Sequence, residues 1–319
     1  KSVKKITSKR HILKINFYIL SLLLILPLMA GFTCSSENPE SESDSNPSVL
    51  NDFNVKGKKS LVFDSYQPLK DKPVKLWYYT PVDNPKDLPI LFVMHGTKRE
   101  GERYMDNLIE FADQYQFIII APEFSKAKYP GSAGYNLGNM FDDEGVAISE
   151  DKWSFSIIEP IFDFVVSKIN GNQKNYDMFG HSAGAQFVHR FLVFKKDTRV
   201  NRLVSANAGW YTLPDFQIDF PYGLKGTEAG QSKLERALQK SMTILLGEED
   251  IKRDKYLRIT EEADMQGLHR LERGQYYYQK GIEIANTLNT TINWTIQFVP
   301  GVGHSSKGVS PATAKILYE

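Results

Sequence analysis

Two unbroken apolar segments, residues 89–94 and 117–121, constrain this chain more than any other feature. A strand buried on both faces reads this way, whereas a half-solvated strand alternates apolar with polar side chains. Between them, residues 105–115 have helical spacing that lets Leu108, Ile109, Phe111 and Ala112 share a face. The alternation continues, with strands expected at 176–179, 203–206, 243–246 and 294–299 and helices at 155–169, 183–194, 232–239 and 263–288. Such a chain folds as an α/β protein, with a mainly parallel central sheet, right-handed crossovers and helices on both faces. The β-rich segments 61–63 and 74–79 precede this series and suit antiparallel strands at one edge of the sheet.

The first fifty residues have a different character. Lys4, Lys5, Lys9, Arg10 and Lys14 lead into a mostly apolar run at 17–30, and then Gly31-Phe32-Thr33-Cys34. Charged, apolar and cleavage regions in that order form a secretory signal. The run is short against the ~20 residues of a membrane span, although left uncleaved it would act as an anchor. After Cys34 the chain is polar and acidic with almost no apolar side chain, as in a flexible tether. The expected organisation is therefore a signal at 1–33, a tether at 34–58 and one domain at 59–319. A lone cysteine between an apolar run and an acidic tether resembles a bacterial lipoprotein signal, which implies lipid modification of Cys34 and attachment to a membrane. Gly31 and Thr33 depart from that pattern, and an ordinary secretory signal cut near Cys34 is the alternative. Both readings place the protein outside the cytoplasm.

Composition excludes several function classes. A net charge of +1, much of its positive excess near the N-terminus, leaves no basic stripe for nucleic acid. Cys34 is the sole cysteine, so the domain has no disulfide and no thiolate metal site. No His-x-x-x-His spacing offers another metal site, and no cofactor is implied.

Gly180-His181-Ser182-Ala183-Gly184 falls between an expected strand and an expected helix, the context that a G-x-S-x-G nucleophile elbow requires. A serine on such a turn needs small neighbours two residues away on each side. The Ala183 amide, at the N-terminus of the following helix, can then face a developing oxyanion. A glycine-rich turn without chemistry has the same spelling. From about Leu88 to His304 the chain resembles the α/β-hydrolase superfamily, whose triad runs serine, acid, histidine along the sequence. The resemblance implies Ser182 as nucleophile and His304, after the last strand, as base. It also implies Asp250 as the acid, three residues after Gly247, with Glu248 and Glu249 as alternatives. His95-Gly96-Thr97 resembles the family's His-Gly turn, making the Thr97 amide the second oxyanion donor. His95 is then structural rather than a proton-transfer group, and the same holds for His181, His189 and His269, which have no assignable partner.

Three loops at strand ends are candidates for the substrate pocket: 129–140 with Tyr135, 207–212 with Trp210 and Tyr211, and 214–231 as a partial cap. Arg270 and Arg273, three apart on a helix, suit surface salt bridges better than carboxylate recognition. The family implies cleavage of a small or polymeric ester; the extracellular depolymerase and feruloyl or acetyl esterase groups are the nearest in kind. Peptide hydrolysis by the same triad, and a lipoprotein that binds a ligand without turnover, are the competing functions.

Overall fold

The computed structural model describes residues 52–319, and in it the apolar and β-branched runs pair into one eight-stranded sheet. The strands are β1 (Gly57–Phe63), β2 (Val74–Thr80), β3 (Ile90–Met94), β4 (Ile118–Glu123), β5 (Tyr176–His181), β6 (Val200–Ala206), β7 (Ser241–Gly247) and β8 (Trp294–Val299). Their spatial order is β1-β2-β4-β3-β5-β6-β7-β8. Only β2 runs against the rest: it pairs antiparallel with β1 and β4, and every other pairing is parallel. Each strand expected from sequence is present.

Helices α1 (Gly101–Asp106), α2 (Ile109–Tyr115) and α8 (Ser306–Tyr318) cover one face of the sheet. Helices α3 (Ile158–Lys168), α4 (Ala183–Phe194), α5 (Gln231–Gln239) and α7 (Arg270–Thr287) cover the other. β3 shows how a doubly buried strand serves both layers. Ile90, Phe92 and Met94 enter one core while Leu91 and Val93 enter the other, the period of two that a pleated strand imposes.

Two expectations change. The helix expected at 263–288 is two, because α6 (Glu261–Asp264) ends before Gly267, whose φ of +139° no ordinary side chain tolerates. Thr260 caps α6 and the His269 side chain caps α7. The domain also begins before residue 59: Phe53 is buried and stacks on Tyr78 with ring centroids 3.9 Å apart, so residues 53–58 belong to the fold rather than to a tether. The signal segment and Cys34 lie outside the described residues. No helix among the described residues is long and apolar enough to cross a membrane.

The topology positions a site. β3 lies between β4 and β5, so the chain leaves β3 toward one side of the sheet and β5 toward the other. The loops after these two strands open onto a common crevice, where open α/β sheets bind ligands.

Candidate active site

Ser182 follows β5 directly with φ 61° and ψ −117°, a backbone conformation that costs an L-residue about 1–3 kcal/mol. The turn persists because its surroundings dictate it. The Ser182 amide donates to the Ala206 carbonyl at 3.0 Å, and the Gln186 amide closes onto the Ser182 carbonyl at 3.1 Å. A Cβ on Gly180 would overlap the Gly184 backbone, and one on Gly184 would overlap the Met94 carbonyl. The two glycines thus let β3, β5 and α4 meet at the serine.

The loop after β8 brings His304 Nε2 to 3.0 Å from Ser182 Oγ. On the other edge of the ring, His304 Nδ1 lies 2.7 Å from Asp250 Oδ2. Asp250 is only 1% exposed, so this carboxylate has no bulk water to turn to. Glu248 and Glu249 are exposed, and only their backbone amides are engaged, with Val299 and Val302. Of the three adjacent carboxylates, Asp250 is the one that reaches the imidazole.

Two supports had no clear signature in the sequence. Asn207, in the left-handed region at φ 50°, accepts from the Gly247 amide at 2.8 Å and donates to the Gly303 carbonyl at 3.3 Å. It therefore ties the loop that carries Asp250 to the loop that carries His304. Arg270 is fully buried rather than on the surface: Nη1 lies 3.3 Å from Asp250 Oδ1, and its two terminal nitrogens each lie 3.0 Å from Asp254. Arg273 is buried too, donating to the Gly209, Gly267 and Arg258 carbonyls and pairing with Asp264. Both lie on the inward face of α7, which their i, i+3 spacing left undetermined.

Thr97 and Ala183 flank the serine. Neither backbone amide has an acceptor among the described residues, and Ala183 opens α4, where the partial positive charge of the helix N-terminus is concentrated. Two unpaired donors beside a serine hydroxyl make a seat for an oxyanion.

Burial keeps three histidines neutral. His95 Nε2 accepts from the Phe124 amide at 3.0 Å, and burial lowers its pKa to about 3. His189 Nε2 accepts from the Thr212 amide at 3.1 Å, and His181 packs on His304 with centroids 4.6 Å apart while Nδ1 meets Tyr104 Oη at 3.2 Å. Burial first, then neighbouring positive groups, hold both well below the usual histidine range. The unfolded chain protonates these groups near pH 6.5 and the folded chain does not, so stability is complete above about pH 6.5 and falls as pH drops below it. Each histidine contributes up to about 1.4 kcal/mol per pH unit in that window. Urea titrations at pH 7 and pH 5.5 are expected to show a clear loss of stability at the lower pH, and equal midpoints would contradict it.

Two cavities open at Ser182. One, of about 330 Å³, is walled by Gly96, Thr97, Tyr104, His181 and His304. The other, of about 400 Å³, runs past Gln186 to Trp210 and Arg258. Trp210 thus faces the site. Tyr211 does not: it is buried, stacks on Tyr277 at 4.4 Å and is held through its backbone by Gln266. Tyr135 is also buried, stacking on His95 and donating to its carbonyl at 2.8 Å, so it supports the His-Gly turn rather than touching a ligand. Residues 214–231 line neither cavity; Leu224 and Ala229 join the core instead. Among the described residues no group of three His, Cys, Asp or Glu side chains is arranged to hold a metal ion.

No protein-family model matches the sequence, and comparison with curated proteins gives no match. Solved structures do match. Poly(aspartic acid) hydrolase-1 from Sphingomonas sp. KT-1 shares 40% identity with a TM-score of 0.80, over 83% of this chain and all of that one. The chain belongs to the α/β-hydrolase superfamily. This α/β-hydrolase also shares 33% identity with LpqC, a poly(3-hydroxybutyrate) depolymerase from Bordetella parapertussis, with a TM-score of 0.79 over 82% of this chain and 89% of that one. The fluorophosphonate-binding serine hydrolase FphF of Staphylococcus aureus, at 16% identity and a TM-score of 0.54 over 82% of this chain and 97% of that one, shares the fold. This α/β-hydrolase is a serine hydrolase of the esterase and depolymerase type.

Proposed function

We propose that this hydrolase cleaves carboxylic esters through an acyl-Ser182 intermediate. The observation that carries the reading is the continuous line Asp250 Oδ2–His304–Ser182 Oγ, with two free amides beside the same oxygen. His304 Nε2 takes the hydroxyl proton as Oγ attacks the ester carbonyl, and the amides of Thr97 and Ala183 bind the resulting oxyanion. On collapse, the alkoxide leaves with the proton from His304, and the acyl group stays on Ser182. Water, deprotonated by His304, then attacks the acyl carbon, releasing the acid and restoring the hydroxyl. Asp250 holds the tautomer in which Nδ1 carries a proton and stabilises the imidazolium between transfers.

The two relatives reported at 40% and 33% identity are both named for polymers, which supports a polymeric substrate. The units of poly(aspartic acid) are joined by amide bonds, and this favours amide cleavage by the same triad as the second reading. Mixing the enzyme with p-nitrophenyl butyrate is expected to give turnover, and acid quenching is expected to trap one butyryl group on Ser182 by mass spectrometry. Absence of both turnover and adduct would refute the ester reading.

The N-terminal pattern supports export, with Cys34 lipidated and the domain held outside the cytoplasmic membrane. Cys34→Ala should then move the protein from the membrane fraction to the soluble fraction. A mature N-terminus that carries no lipid would contradict the anchor.

A further inference from the structure

We propose that the cavity between Ser182 and Arg258 is an anion-accepting acyl site, taking substrates whose acyl part carries a free carboxylate away from the scissile carbonyl. This rests on the reading of Ser182 as nucleophile and adds the substrate class. The wall of this cavity includes Arg99, Lys126, Arg258 and Arg270 and contains no Asp or Glu. Arg270 is balanced by Asp250 and Asp254, but the other three have no ion pair among the described residues. Arg99 donates instead to the carbonyls of Phe124, Tyr129 and Gly131, contacts that fix the guanidinium and leave its charge unbalanced.

A further cation lies behind the wall. Arg190 is fully buried and donates to Thr212 Oγ1, the Asn136 carbonyl and Gln186 Oε1, all neutral acceptors, while its Nη2 has no partner among the described residues. Its guanidinium lies 4.2 Å from the centroid of the Trp210 ring, and that of Arg258 lies 4.7 Å from the same centroid. The indole thus holds Arg258 at the cavity through cation–π contact.

The neutral group on the floor is oriented the same way. Gln186 Oε1 accepts from Asn136 Nδ2 at 2.9 Å and from Arg190 Nη1 at 3.2 Å, which turns the amide so that Nε2 remains a donor with no acceptor among the described residues. Cations and a free N–H group line a cavity whose wall has no carboxylate to compete for them. Such a lining focuses positive potential and suits a carboxylate, which an arginine can bind with two parallel hydrogen bonds. An uncharged acyl chain would displace water from these cations and return no hydrogen bond.

The test compares the p-nitrophenyl half-ester of adipic acid with p-nitrophenyl hexanoate, which match in chain length and differ in the terminal carboxylate. The expected kcat/KM ratio favours the half-ester by about tenfold or more at low salt, carried mainly by KM. The preference should shrink as salt is raised, as exposed charge interactions do. Replacing both Arg258→Met and Lys126→Met should lower the ratio about tenfold, and Arg258→Lys should restore part of it. A wild-type enzyme that cleaves the hexanoate as well as the half-ester at low salt overturns the inference while leaving the hydrolase reading intact. If neither ester is turned over, the ester reading fails on its own. Calorimetric titration of the Ser182→Ala protein with adipate then decides the site: saturable binding that the double replacement abolishes supports it, and no saturable binding overturns it.

Discussion

Ser182→Ala is expected to lower kcat on a chromogenic ester by roughly 10⁴–10⁶-fold, the range seen when the nucleophile of such a triad is lost. The residual rate would come from the Thr97 and Ala183 amides and from substrate binding, both of which the substitution leaves in place. Folding should survive. The Ser182 side chain bonds only to His304, and the backbone contacts that force φ to 61° involve its amide and carbonyl. Alanine occupies that conformation as readily as serine, so the urea midpoint should change little. Activity within about tenfold of wild type would end the role of Ser182, because no lost nucleophile costs so little.

Asp250→Asn is the second large effect, an expected drop in kcat of about 10³–10⁴-fold with the fold retained. The carboxylate does two things at once. Oδ2 orients His304 at 2.7 Å, and Oδ1 faces Arg270 at 3.3 Å inside the protein. An amide in its place removes the negative charge that stabilises the imidazolium and leaves Arg270 only Asp254 as a charged partner. Its NH₂ would also face either His304 Nδ1, favouring the wrong tautomer, or the Arg270 guanidinium. Glu248→Gln and Glu249→Gln should each cost less than about tenfold, since both side chains are exposed and neither reaches the imidazole. A crippled Glu248→Gln or Glu249→Gln enzyme beside an active Asp250→Asn one would move the acid to that position.

These two residues also mark what local sequence can and cannot say. β3 and β4 were readable because doubly buried strands are spelled as apolar runs, and β1 and β2 because their segments are β-rich. Ser182 stood out because its turn admits only glycine at 180 and 184, a steric demand written directly into the pentapeptide. The triad order implied by the family resemblance then placed an acid after β7 and a histidine after β8, and the structure brings both to hydrogen-bonding distance. What sequence left open depends on which way a side chain leaves the backbone. Trp210 and Tyr211 are neighbours with the same composition signal, yet one lines the cavity and the other is buried against Tyr277. The spacing of Arg270 and Arg273 says they share a face of α7, and only packing shows that this face is the inner one. Asn207 and Gln186 act through contacts with residues 40 and 50 positions away, which no local pattern records.

The most direct test is labelling of the purified protein with a fluorophosphonate probe, which phosphonylates a serine only where a base activates it and an oxyanion site accepts the phosphoryl oxygen. One equivalent is expected to attach, and peptide mapping should locate it at Ser182. Labelling should be absent in Ser182→Ala and greatly slowed in His304→Ala. A folded wild-type protein that takes up no probe, or takes it up at another residue, would contradict the assignment of Ser182 and His304.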